Sequence, residues 1–176
     1  MDIDYNAILA ITAVVGSLVA IYQIWAESRT ARFTIGVGLL TELFDRFNED
    51  NMWEKRSKAS KFLIEKSDQT QFSEKEDPDL DDILDFFEMI GLLMKRGALD
   101  PTMVWNTFFY HFNGYYHGAK NYMDWCIETK DDQTLWENVY FLYNHLIKIE
   151  NKKRPVNKRR DFENEWKDVL KEEADL

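Results

Sequence analysis

The chain has 176 residues, 22 Lys plus Arg against 32 Asp plus Glu, and a formal charge of −10. At 45% apolar and 15% aromatic it carries a core, which excludes a disordered chain, and one cysteine excludes an internal disulfide, a Cys-based zinc site and an iron–sulfur cluster. The acidic balance argues against nucleic acid as a partner, since neutralising phosphates needs clustered bases.

Residues 5–26 carry no charge, and Asn6, Thr12, Ser17 and Gln23 are their strongly polar positions. As a helix this run is about 33 Å long, against a hydrocarbon core of roughly 30 Å. Tyr5 at one end and Tyr22 and Trp25 at the other stand where interfacial aromatics belong. The leader holds Asp2 and Asp4 and no base, unlike a secretory signal. Arg29 and Arg32 follow the run, so the positive-inside rule puts the C-terminal side in the cytoplasm. The alternative is an apolar core helix that never meets lipid. Thr12, Gly16 and Ala20 form a small-residue stripe through which two such helices would pair. The expected organisation is a short extracytoplasmic tail at 1–4, a transmembrane helix at 5–26, a cytoplasmic helical domain at 27–150, and a basic linker with a C-terminal helix at 151–176.

Ile35, Leu39, Leu43, Phe44 and Phe47 share one helical face, so the first helix is expected to continue to about Phe47, weakened at Gly36 and Gly38. Met52, Arg56, Ala59, Phe62 and Leu63 predict a second helix with a basic outer face. Ser67 to Asp79 is polar and reads as the longest surface loop, with Pro78 and Asp79 opening the next helix. That helix buries Leu80, Ile83, Leu84, Phe87, Ile90, Gly91 and Met94 and stops at Gly97. Asp100-Pro101 is an N-cap followed by a proline at the first helical position, and it starts a long helix with a wide apolar arc. Two more helices are expected, from about Asp132 to Ile149 and around Phe162, Trp166, Val169 and Leu170. No segment alternates with period two, so the fold class is all-α, a bundle of about five to six helices behind the span.

Half of the aromatic residues fall in 101–145, which marks the core; the alternative is a groove for a partner helix or apolar ligand. The uncharged run 101–119 is nearly long enough for a second span, but Asn106, His111, Asn113 and His117 oppose it. Asp81, Asp82 and Asp85 form an Asp-Asp-x-x-Asp pattern that would hold Mg²⁺ for a diphosphate; the simpler reading is acid enrichment in a first helical turn. Glu88 interrupts an apolar helix and needs a partner, for which Arg56 is the candidate; the functional reading is a perturbed catalytic carboxylate. His111, His117 and His145 lack metal-ligand spacing and read as core or boundary residues, and Cys126 as a small buried hydrophobe.

Lys152, Lys153, Arg154, Lys158, Arg159 and Arg160 put six bases into nine residues. Such a cluster attracts anionic headgroups, nucleic acid or an acidic partner, or else is a solvated linker around Pro155. No cofactor is expected. The expected partners are the bilayer and a protein, or a second copy joined through the span.

The segments Asn-Met-Trp-Glu-Lys-Arg-Ser-Lys-Ala at 51–59, Ile-Leu-Asp-Phe-Phe-Glu-Met-Ile-Gly at 83–91, Lys-Arg-Gly-Ala-Leu-Asp at 95–100 and Val104-Trp105 together resemble a family of small bacterial and phage-borne helical proteins of unknown function, often with an N-terminal membrane helix. The resemblance covers roughly residues 30–146. It implies a shared helical fold and a prokaryotic or phage origin, and it supplies no activity or catalytic residue. The leading expectation is a single-pass protein of the bacterial inner membrane, N-terminus outside, whose domain binds a partner without chemistry of its own. The alternatives are a metal-dependent hydrolase or transferase using the Asp-rich helix, and a small-ligand sensor.

Overall fold

The computed structural model describes the backbone of residues 5–66, 76–155 and 162–176, and the side chains of these except 5–15 and 162–164. The fold is all-α with six helices: α1 Tyr5–Phe47, α2 Asp50–Lys66, α3 Pro78–Lys95, α4 Pro101–Lys130, α5 Glu137–Lys153 and α6 Phe162–Ala174. No strand occurs among the described residues. The tail 1–4, most of the loop expected at Ser67 to Asp79, and Lys158, Arg159 and Arg160 lie outside them.

Helix boundaries follow local chemistry. The Asp77 carboxylate accepts from the Leu80 amide at 2.8 Å, with Pro78 at the first helical position, so α3 takes in the last two residues of the polar run, Pro78 and Asp79. It closes at Arg96, and Gly97 takes the left-handed conformation (φ 71°) that suits glycine. Asp100 Oδ1 accepts from the amides of Thr102 and Met103, so the Asp-Pro start of α4 is where its sequence puts it. The start of α5 is not at Asp132. Asp131 turns left-handed (φ 49°) at the end of α4, and the Asp132 carboxylate binds the Thr134 amide and hydroxyl in a side-chain-closed turn. The helix therefore opens only at Glu137.

α4 is the central helix, as its aromatic density implies. Phe108, Phe112, Tyr115 and Tyr122 are fully buried, with α5 and α6 packed along it. α3 lies between α5 and α2, and α6 closes the bundle against α2 and α4. Phe47, Phe86, Phe87, Phe108 and Phe112 form a chain of ring contacts with centroids 5.0–6.0 Å apart, mostly edge to face. Rings at this spacing account for the aromatic run as core.

α1 joins the bundle through its last turns only. Leu40, Leu43 and Phe47 are buried, whereas Ile35 and Phe44, expected inside, are 62% and 48% exposed. The helix leaves its partners before it reaches Ile35, while Phe44, between the buried Leu43 and Phe47, is turned about 100° from Leu43 and off the covered arc. The two glycines do not interrupt it: 43 residues run on without a break, about 64 Å of helix.

The tightest helix contact is α3 on α5. A Cβ on Gly91 would stand 2.2 Å from the Asn138 carbonyl oxygen and 2.8 Å from its carbon, both backbone atoms. Gly91→Ala is therefore expected to destabilise the fold by ~1–3 kcal/mol or more in denaturant unfolding, because neither helix axis yields cheaply. Gly38→Ala, which meets nothing within 4 Å, is the control and is expected to gain up to ~1 kcal/mol from helix propensity.

Candidate functional site

Arg56 is buried and paired, as its place on α2 requires, but its partner is Glu173 on α6 and not Glu88. Nε and Nη2 donate to the two carboxylate oxygens of Glu173 at 2.6 and 2.7 Å, and Nη1 donates to the Phe47 carbonyl at 3.0 Å. The guanidinium carbon lies 3.9 Å from the Phe47 ring centroid. Both charged side chains are about 3–4% exposed. His111 Nδ1 binds the same carboxylate at 2.5 Å, and the Tyr115 hydroxyl lies within 3.3 Å of it, 3.1 Å of the Arg56 carbonyl and 3.0 Å of Ser60 Oγ. Two further contacts hold α6 down: Ser57 Oγ donates to the Ala174 carbonyl and the Tyr110 hydroxyl to Glu172. Sequence spacing gave no hint of Glu173, which sits among other acids on a short helix 117 positions away.

Glu88 has a different role. Trp136, which precedes α5, is left-handed (φ 53°) and its side chain offers no cap. Glu88 reaches across from α3 and fills that place, accepting from the Asn138 and Val139 amides at 2.8 and 2.9 Å and from Asn138 Nδ2 at 2.6 Å. It is a helix cap supplied by another helix.

The Asp-rich pattern on α3 does not converge. Asp81 accepts from the Tyr122 hydroxyl at 2.6 Å, Asp82 pairs with Lys55 on α2, and Asp85 accepts from the Trp136 indole at 2.9 Å. Burial raises the Asp81 carboxyl above its ordinary value despite the bond from Tyr122. Among the described residues no group of three or more His, Cys, Asp or Glu is placed to hold a metal. Burial likewise pushes the Cys126 thiol up to about 11, which keeps it protonated and poorly nucleophilic at neutral pH. His145 binds the Phe141 carbonyl, and His117 lies edge-on to the Tyr116 and Tyr143 rings.

Two features at one end of the bundle remain. The first is the free length of α1: every described side chain from 16 to 25 is exposed, including Leu18, Val19, Ile21, Tyr22, Ile24 and Trp25 at 51–68%. Among the described residues no helix is long and apolar enough to cross a membrane; side chains 5–15 of the uncharged run lie outside them. The second is the end of α5. Glu150, 2% exposed, accepts from the Trp105 indole at 3.1 Å and has Arg154 Nε 3.5 Å away. Lys153 Nζ and Arg154 Cζ stand 4.4 and 5.6 Å from the Trp105 ring centroid. Lys152 is exposed beside them.

Burial alone would raise the Glu173 carboxyl, but hydrogen bonds from His111 and Arg56 outweigh it and hold the group below its ordinary value of 4.5. A carboxyl depressed on folding stabilises the fold above its unfolded pKa, and that contribution is lost as pH falls through the folded value. Glu173→Gln is expected to be markedly less stable than the parent at pH 7 in urea unfolding. The gap should narrow below about pH 4.5; a gap independent of pH would show that the charge of Glu173 is not what holds α6.

The chain matches a family described as a domain of unknown function (DUF4760) over residues 10–146, a stretch that takes in most of α1, all of α2 to α4 and much of α5. No curated protein and no solved structure matches it. With more than half of its length inside that match, the chain belongs to the DUF4760 family.

Proposed function

We propose that the chain is a single-pass membrane protein held by residues 5–26 of α1, with its helical bundle serving as a non-catalytic interaction module on the cytoplasmic side. The observation that carries this reading is the circumferential exposure of α1. An amphipathic helix has one face for its partners, but positions 16–25 are exposed on all sides and mostly apolar. A helix apolar all round belongs in protein interior or in lipid, and no part of the bundle covers it. Uncharged residues continue from there back to Tyr5.

The far boundary of the run supports the same orientation. The Arg29 guanidinium lies 5.6 Å from the Trp25 ring centroid, which places a cation and an indole together where the apolar stretch ends. Arg32 follows one turn later, and both bases lie between the run and the bundle. A non-catalytic role is supported by the way each candidate acid is engaged: Asp81, Asp82, Asp85 and Glu88 face four different partners, Tyr122, Lys55, Trp136 and Asn138. A bacterial membrane is the setting that the family resemblance implies.

Membrane fractionation with an alkaline carbonate wash tests the anchor. Full-length protein is expected to stay with the pellet, and a chain lacking residues 1–26 to be released. Full-length protein in the wash would mean that residues 5–26 are covered by protein, and the anchor would be withdrawn.

A further inference from the structure

We propose that the C-terminal end of α5, with Lys153 and Arg154 beside the Trp105 indole and Lys152 exposed next to them in sequence, is a docking surface for anionic lipid headgroups of the membrane that holds α1. The inference rests on the anchor reading above and names the partner of the bundle's near face.

The first step is placement. Gly36 of α1 packs on the turn between α3 and α4, where an added Cβ would stand 2.9 Å from the Ala98 carbonyl oxygen. α1 therefore leaves the bundle at the end where α4 begins. Trp105 is in the second turn of α4, and it holds Glu150, Lys153 and Arg154 of α5 to that same end. The apolar stem and the basic residues thus share one end of the molecule, although 120 positions separate them in sequence. The other end of α4, with Asp131 and Asp132, and the start of α3, with Asp77, Asp79 and Asp81, are acidic.

The second step is construction. Bases at a helix C-terminus offset the macrodipole, which accounts for charge in the last turn of α5. It does not account for an indole fixed among them. Glu150 is buried, holds Trp105 through Nε1 and stands against Arg154, so the indole is held at an exposed edge with two cations beside it. An aromatic ring with an apolar body and adjacent cations suits the interfacial layer of a bilayer, where apolar and charged groups meet.

The third step is distance. At 1.5 Å per residue, position 26 stands about 15 Å beyond Gly36. The headgroup layer takes up about 5–7 Å of that. The gap left is close to the Debye length of roughly 8 Å at physiological salt, so bases at this end lie within reach of the surface potential.

Full-length protein in vesicles of phosphatidylcholine alone, and of equimolar phosphatidylcholine and phosphatidylglycerol, tests this by flotation and by mass-spectrometric footprinting with a membrane-impermeant amine reagent. The protein is expected to float with both vesicles. Labelling of Lys152 and Lys153 is expected to fall about fivefold or more with phosphatidylglycerol, since one base near an anionic surface gains ~1 kcal/mol, and to recover in high salt. Lys130, paired with Glu76 at the far end of α4, is expected to label equally in both. Flotation with both vesicles and equal labelling of Lys152 and Lys153 overturns the docking surface and leaves the anchor standing. Flotation on anionic vesicles alone, with those lysines protected, overturns the anchor and supports the surface. No flotation on either overturns both.

Discussion

A guanidinium and a carboxylate, each nearly inaccessible to water, meet where α1 ends, α2 begins its second turn and α6 closes. Burying the Arg56–Glu173 pair is unfavourable unless every remaining donor and lone pair is used, because each ion surrenders several kcal/mol of hydration. Here each guanidinium nitrogen and both carboxylate oxygens are bonded, from four helices: Arg56 itself from α2, the Phe47 carbonyl from α1, His111 and Tyr115 from α4, and the carboxylate from α6. Loss of one partner strands the other in an aromatic surround, at about 3–5 kcal/mol. The pair therefore selects one arrangement of helices in a core whose phenylalanines alone would tolerate several. It also makes α6 integral to the folded unit, since the family match ends at residue 146 while the acceptor for Arg56 lies beyond it.

Glu88 solves a related problem at the other side of the bundle. A helix opened by a left-handed tryptophan has orphan amides and no local side chain to receive them. A carboxylate from α3 accepts two of them and, with Gly91 one turn on, fixes the depth at which α3 lies on α5. In both places a charged group joins segments far apart in sequence, and the aromatic packing fills the space between them.

That difference in range explains what the sequence disclosed. Helical periods and the Asp100-Pro101 start depend on neighbours within four residues, so α2, α3 and α4 were legible, as was the aromatic core of α4. The start of α5 was misread because apolar spacing shows nothing of the left-handed Asp131 or the closed turn at Asp132. Arg56 was legible as a buried base in need of an acid, but with 32 acids in the chain no pattern ranks Glu173 above Glu88. Ile35 and Phe44 fit the helical stripe and are nonetheless exposed, since where a helix leaves its bundle, and which arc of it is covered before that, are tertiary facts. The six-base cluster was visible as charge, whereas the placement of Lys153 and Arg154 beside Trp105 depends on α4 and α5 running side by side.

The end of α1 that carries Phe47 is anchored in the core by ring stacking and by its carbonyl, so the stem cannot swivel independently of the bundle. On the anchor reading, a helix held in this way sets the separation between bundle and bilayer but leaves the tilt of the bundle free. A second contact, offset from the helix axis, restrains that tilt even when it is weak, because it acts on a body the anchor already confines near the surface. The proposed docking end of α5 meets that condition: α5 packs on α3 and α4, whereas α1 packs on α2 and α4, and the α5 bases need only lie within a Debye length of the headgroups. On this reading the bundle would present one set of faces to the membrane and another, the acidic far end with Asp131 and Asp132, consistently to the cytoplasm, which is the geometry that a membrane-tethered binding module requires.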